Sequence, residues 1–292
     1  MSTTTVSAMD GAASAAQVAM PAVGDVLVIS APGCNAAALV GSRLAARGRG
    51  GVTGCAMPHD FLHGRTRGPE PTVMALLATP PEQQREEDLS EGHTGDAFCK
   101  EARRMGVGDA QWAVLGGDYL GGFTRLCSWH DLVVVQRPAD EEANPTAGFD
   151  ALMMGSGLPV LVLPTPCAPG ATHECIALAW DGSPPATRAL RAALPFAIAA
   201  RQVCLLDGSP AHPLQPAFDP VAFLGRYGVT VVHKHVEPGP LDGTQLLSRA
   251  HRIHADLLVM GAYGHSRLRE RVFGGTTRRV LASARIAALL HH

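Results

Sequence analysis

Lysine is nearly missing from this 292-residue chain: Lys100 and Lys234 are the two it has, and the other basic residues are arginines. Neither lysine follows a glycine-rich loop, which excludes a phosphate-binding lysine of the Walker type. Aromatic residues make up 5% of the sequence against 46% hydrophobic residues, so the core must be aliphatic and alanine-rich. That suits helices packed on a parallel sheet. The formal net charge of -2 supplies no field that would gather nucleic acid or an anionic membrane, and neither is an expected partner. The seven cysteines, Cys34, Cys55, Cys99, Cys127, Cys167, Cys175 and Cys204, are odd in number and never spaced as C-x-x-C. Reduced, mostly buried thiols in a cytoplasmic protein are expected, and no zinc site or disulfide frame. No stretch reaches membrane-spanning length. The opening "MSTTTVSAMDGAASAAQVAM" lacks the basic start and compact apolar core of a signal peptide and reads as a loose tail.

What is present is an alternation. "DVLVIS" is a short β-branched apolar run, and "NAAALVGSRLAARG" after it has helical spacing at Ala38, Leu39, Ser42 and Ala46. "GVTGCAM", "AQWAVLGG", "DLVVVQRP" and "LPVLVLP" continue the strand series. Between them lie an amphipathic helix ending at Gly106, a helical "DYLGGFTRLCSWH" and a helical "GFDALMMGSG". Strands alternating with helices predict a parallel sheet covered on both faces. "TPCAPGATHE", Thr165 to Glu174, is aperiodic and rich in Pro, Gly and Thr, so it is the expected linker.

Beyond the linker the pattern repeats. "CIALAWDGS" answers the first strand and "PATRALRAALPFAIAA" the first helix. "VCLLDGS", "FDPVAFLGRYG", "VTVVHKHVE", "DGTQLLSRAHRIHA", "DLLVMGAYG" and "RIAALLHH" follow in the same order. Starting points near Val26 and Ile176 are about 150 residues apart, the spacing of two copies of one domain. The expected division is a tail over residues 1–22, one domain over 23–166 and a second over 167–292.

The chemistry gathers in the second copy. Strand "DLLVM" runs into Gly261, Gly264 follows on a turn, and after "HSRLRERVF" come Gly274, Gly275, Thr276 and Thr277 directly before a helical "RRVLASA". Free amides at that helix N-terminus, with the positive end of its dipole, can hold an anion without lysine. Asp181 in "WDGS" lies at the carboxyl end of the domain's first strand, where an open α/β sheet forms its ligand crevice. The glycines also read as turn formers, and Asp181 also reads as a helix cap. His233 with His235, and His251 with His254, have no carboxylate or cysteine at ligand spacing, so no metal site is predicted. Arg267, Arg269 and Arg271 read as a solvated face. No G-x-S-x-G elbow is present, and "MGSGLP" has the reverse geometry.

The run G-x-x-G-x9-G over Gly261, Gly264 and Gly274, together with the strand-end D-G-S of Asp181 to Ser183, closely resembles the universal stress protein family. Residues Ile176 to Leu290 fit that family's domain, and Val26 to Pro164 looks like a diverged second copy. The resemblance implies two tandem flavodoxin-like (Rossmann-like), doubly wound α/β domains of strand order 3-2-1-4-5, paired within one chain as single-domain members pair in dimers. It implies an adenine nucleotide, ATP or else ADP or AMP, with Mg as its counter-ion where one accompanies it. The implied contacts are Ala179, Trp180 and Asp181 on the adenine side, and Gly208 where members pack an apolar side chain on the base. Met260, Gly261, Gly264, His265, Gly274, Gly275, Thr276 and Thr277 complete them on the phosphate side. Members usually carry Ser or Thr after the third glycine, where this chain has Gly275 and offers hydroxyls only at Thr276 and Thr277.

The first copy departs further. Its strand end "ISAPG" has no carboxylate, and after "LVVVQRP" comes an acidic "ADEEANP" instead of a glycine turn. A structural role is expected there. The function expected is a cytoplasmic stress-response or regulatory protein, with slow ATP hydrolysis at most. A non-binding dimerisation or interaction module is the alternative, and a homodimer stays open. An adenylyl-transferase-like enzyme is weaker still, since H-x-G-H and S-G-G-x-D-S are both missing.

Overall fold

A computed structural model describes residues 22–30, 35–56, 94–115, 119–137, 145–167, 173–208, 219–236, 241–263 and 275–292. Ten strands carry it: β1 (Val26–Ser30), β2 (Gly51–Ala56), β3 (Asp109–Ala113), β4 (Leu132–Gln136) and β5 (Val160–Leu163), then β6 (Cys175–Trp180), β7 (Gln202–Asp207), β8 (Val231–Val236), β9 (Leu257–Gly261) and β10 (Ala287–His291). They form one sheet in the order β3-β2-β1-β4-β5-β10-β9-β6-β7-β8. Each half therefore reads 3-2-1-4-5, the doubly wound order that the resemblance implies. Within each half every pairing is parallel. The halves meet where β5 and β10 pair antiparallel, Ala288 opposite Val162, Leu289 opposite Leu161 and Leu290 opposite Val160.

Helices cover both faces. α1 (Asn35–Gly48), α2 (94–104), α5 (Pro184–Ala192), α6 (Leu194–Ala199) and α7 (Pro220–Gly225) lie on one. On the other are α3 (Tyr119–Cys127), α4 (Pro145–Ser156), α8 (Gly243–Arg252) and α9 (Gly275–Ser283). Alternate residues of each central strand feed the two layers. Val134, Ile176 and Val259 join the first core, while Val133, Ala177 and Leu258 join the second. Both-sided burial is why these strands are continuous aliphatic runs without polar alternation.

Two helices differ from the sequence expectation. The buried stripe of α1 is Ala37, Val40, Gly41 and Ala45 with Ser42, whereas Ala38, Leu39 and Ala46 lie half-buried at its margin. Gly41 fixes this rotation, because a Cβ there would stand 2.4 Å from Val28 Cγ2. The helix expected across Pro185 to Ala200 is split at Ala193, where Pro195 in the first turn of α6 has no N–H to continue the ladder.

The same carboxylate device seats both halves. Asp131 Oδ2 accepts hydrogen bonds from the amides of Gly24 and Asp25, both at 3.0 Å. Asp256 accepts those of Glu174 at 2.7 Å and Cys175 at 3.1 Å. Each aspartate also donates its own amide to the neighbouring strand, Asp131 to Asp25 O at 2.8 Å and Asp256 to Cys175 O at 2.9 Å. β4 is thereby registered on β1 and β9 on β6. Among the described residues no helix is long and apolar enough to cross a membrane.

Candidate functional site

In the C-terminal half the strand order reverses beside β6, which pairs with β7 on one side and β9 on the other. The β6–β9 register sets Leu178 opposite Val259, so the carboxyl ends of both strands open into one crevice. Ala179 is half-buried and Trp180 is buried in the core beneath α5. Gly208 extends the ladder from β7, its amide donating to Trp180 O at 2.8 Å. The next residues turn sharply. Gly182 takes φ +78°, a conformation open to glycine, and Asp181 Oδ1 accepts the amide of Ser183 at 2.9 Å. Ser183 then caps α5, its Oγ accepting from Ala186 N at 3.3 Å, with Pro184 entering the first turn. The cap reading of Asp181 is thus realised in part: it supports the turn, while Ser183 is the cap itself.

Met260 is buried, and Gly261 closes β9. A Cβ on Gly261 would lie 2.5 Å from Ala186 N and 2.7 Å from Pro185 C, so the missing side chain lets the first turn of α5 rest on the strand. Ala262 donates its amide to His291 O at 2.8 Å, and Tyr263 takes φ +56°. Gly264, His265 and Gly274 lie outside the described residues. α9 begins at Gly275, which is exposed and whose added Cβ would meet nothing within 4 Å. Thr276 is half-buried, whereas Thr277 is 2% exposed and belongs to the interior. Of the two threonines, Thr276 is the one partly open to solvent. Behind them α8 packs closely, since a Cβ on Gly243 would stand 2.8 Å from Thr276 O and 2.6 Å from Arg279 Cβ.

Sequence reasoning missed two residues near this loop. Asp150, on α4 of the other half, accepts the hydroxyl hydrogen of Tyr263, and its second oxygen lies 3.9 Å from Arg278 Nη2. Burial pushes the Asp150 carboxyl above its ordinary range, with the Tyr263 bond and Arg278 pulling it back. Tyr263 is raised as well, by burial first and then by the Asp150 contact. His291, beside Gly261 on β10, is lowered by burial. No group of three or more His, Cys, Asp or Glu among the described residues is placed to hold a metal ion. Among the described residues no disulfide joins the six cysteines.

The corresponding place in the N-terminal half is filled. Gln136 stands five residues after Asp131 as Gly261 stands five after Asp256, and it is 6% exposed. Its Oε1 accepts the amide of Ala36 in the first turn of α1 at 3.1 Å, and its Nε2 donates to Thr165 Oγ1 at 3.2 Å. A side chain occupies the place that the α5 backbone takes over Gly261 in the other half. The acidic run 139–144 lies outside the described residues.

Fold and strand-end turns together define a tandem, doubly wound α/β protein of Rossmann-like type. Residues 209–291 match the family model described as the universal stress protein family. The solved structure of a universal stress protein from Archaeoglobus fulgidus DSM 4304 superposes with a TM-score of 0.65 at 14% identity, over 91% of this chain and 95% of that one. A candidate universal stress protein from Pseudomonas aeruginosa UCBPP-PA14 gives 0.60 at 17% identity, over 92% and 93%. A functionally unknown protein from Pseudomonas aeruginosa PAO1 gives 0.59 at 16%, over 92% of each chain. At these identities the likeness is one of fold, and it spans both halves. No curated protein matches the sequence.

Proposed function

We propose that the C-terminal half binds an adenine nucleotide of the ATP type and that the protein acts as a cytoplasmic regulatory or stress-response protein through nucleotide occupancy. The observation that supports this reading is the pairing at one switch point of the Asp181 turn with the side-chain-free end of β9 at Gly261, and α9 further opens on an exposed residue, Gly275. The base and ribose belong near Ala179, Asp181 and Gly208. The phosphates belong on amides from Gly261, Gly264 and Gly274 to Thr276, with Thr276 supplying the hydroxyl that members usually carry one position earlier. Mg accompanies the phosphates as a counter-ion. The role proposed is binding, with slow hydrolysis at most.

The alternative, an interaction module without nucleotide, draws on Asp181, whose oxygen already accepts the amide of Ser183. Calorimetric titration with ATP, ADP and AMP separates the two. Binding in the micromolar range that Gly264→Val weakens at least tenfold, about 1.4 kcal/mol, is expected. Absence of heat with all three at millimolar concentration would leave the interaction module.

A further inference from the structure

Asp150, Tyr263 and Arg278 come from three elements and from both halves of the molecule. Tyr263 lies inside the G-x-x-G run and holds φ +56°, a left-handed conformation that a bulky residue seldom keeps without outside support. That support comes from α4: the Tyr263 hydroxyl donates to Asp150 Oδ1. Arg278 sits in the first turns of α9, the helix whose N-terminus faces the proposed phosphates. It reaches Asp150 Oδ2 at the long ion-pair distance of 3.9 Å, with side-chain exposures of 47% for Arg278 and 13% for Asp150. One turn further, Arg137 at the end of β4 donates from Nη1 to Leu281 O at 2.8 Å. The N-terminal half therefore holds Tyr263 and α9 at two points.

We propose that Asp150 is a positioning residue for the phosphate end of the nucleotide site and the internal anion that Arg278 exchanges for a ligand phosphate. This rests on the nucleotide reading above. The Tyr263–Asp150 bond is buried and orders the loop in both states. The Arg278–Asp150 pair is at long range and its arginine is about half exposed, so Arg278 can leave it at small cost, whereas a polyphosphate offers an arginine shorter, charge-assisted hydrogen bonds. Occupancy in one half is thereby reported to α4 of the other as the loss of a cation beside Asp150.

The two contacts make opposite predictions for two mild variants. Asp150→Asn keeps an acceptor for Tyr263 and removes the competing negative charge, so ATP should bind about fivefold more tightly, on the scale of one exposed charge pair. Tyr263→Phe removes the loop's anchor, so ATP should bind more weakly. In the free protein, amide hydrogen exchange over residues 257–263 should then quicken. Affinities by calorimetry at two salt concentrations, with exchange measured on the full chain, test this. A shift of both variants in the same direction, or no shift in Asp150→Asn, overturns the exchange at Arg278; unchanged amide protection in Tyr263→Phe overturns the tether. If wild-type protein binds no ATP at millimolar concentration, the nucleotide reading falls and the exchange at Arg278 with it, while the amide measurement still decides the tether.

Discussion

The ends of β4 and β9 occupy equivalent places in the two halves and solve the same packing problem in opposite ways. In both, an aspartate five residues earlier seats the strand on its neighbour, and in both the first turn of a helix comes down over the strand end. In the N-terminal half Gln136 fills that space and satisfies the helix amide of Ala36 itself. In the C-terminal half Gly261 leaves the space to the backbone of Pro185 and Ala186. One topology thus closes the same strand end with a side chain in one half and with helix backbone in the other. The residue at a single strand end decides which, and fold likeness across the whole chain says nothing about it.

The strongest way to break the contrast is Gly261→Val. Its side chain would overlap the α5 backbone, and destabilisation of about 3 kcal/mol is expected from forced repacking. Native-state hydrogen exchange should show β6 and β9 losing protection ahead of β1 and β4; uniform loss across the sheet would contradict independent packing of the two strand ends. Gln136→Ala comes next. It strands a buried amide on Ala36 and should cost about 2 kcal/mol, read from the urea midpoint, with the N-terminal strands affected first. The smallest effect belongs to Gly275→Ser, whose added atoms meet open space. Stability should move by less than about 0.5 kcal/mol. Nucleotide affinity should rise up to about tenfold if a hydroxyl there reaches phosphate. An unchanged affinity would mean that Thr276 already serves.

Much of the fold was legible because its signals are local. Aliphatic strands such as "LVVV" and "LPVLVLP" cannot face water on either side. The rotation of α1 was not legible, since in an alanine-rich helix the apolar stripe is too broad to point one way. The glycine run and Asp181 stood out by spacing, and Thr277 was misplaced only in that its side chain turns inward. Gln136 and Asp150 gave no warning. Their partners lie 100 and 113 residues away, and no periodicity connects positions that far apart.

The antiparallel seam between β5 and β10 also sets an order of events during synthesis. β5, Val160–Leu163, leaves the ribosome with one edge bare, and the strand that covers it ends the sheet more than a hundred residues later. At ordinary elongation rates that is a wait of roughly ten seconds for a short, wholly aliphatic "VLVL". An uncovered edge of this kind is a template for stray chains as much as for its own partner. A chain cut in the linker should therefore yield a first half that is sticky until the second is supplied.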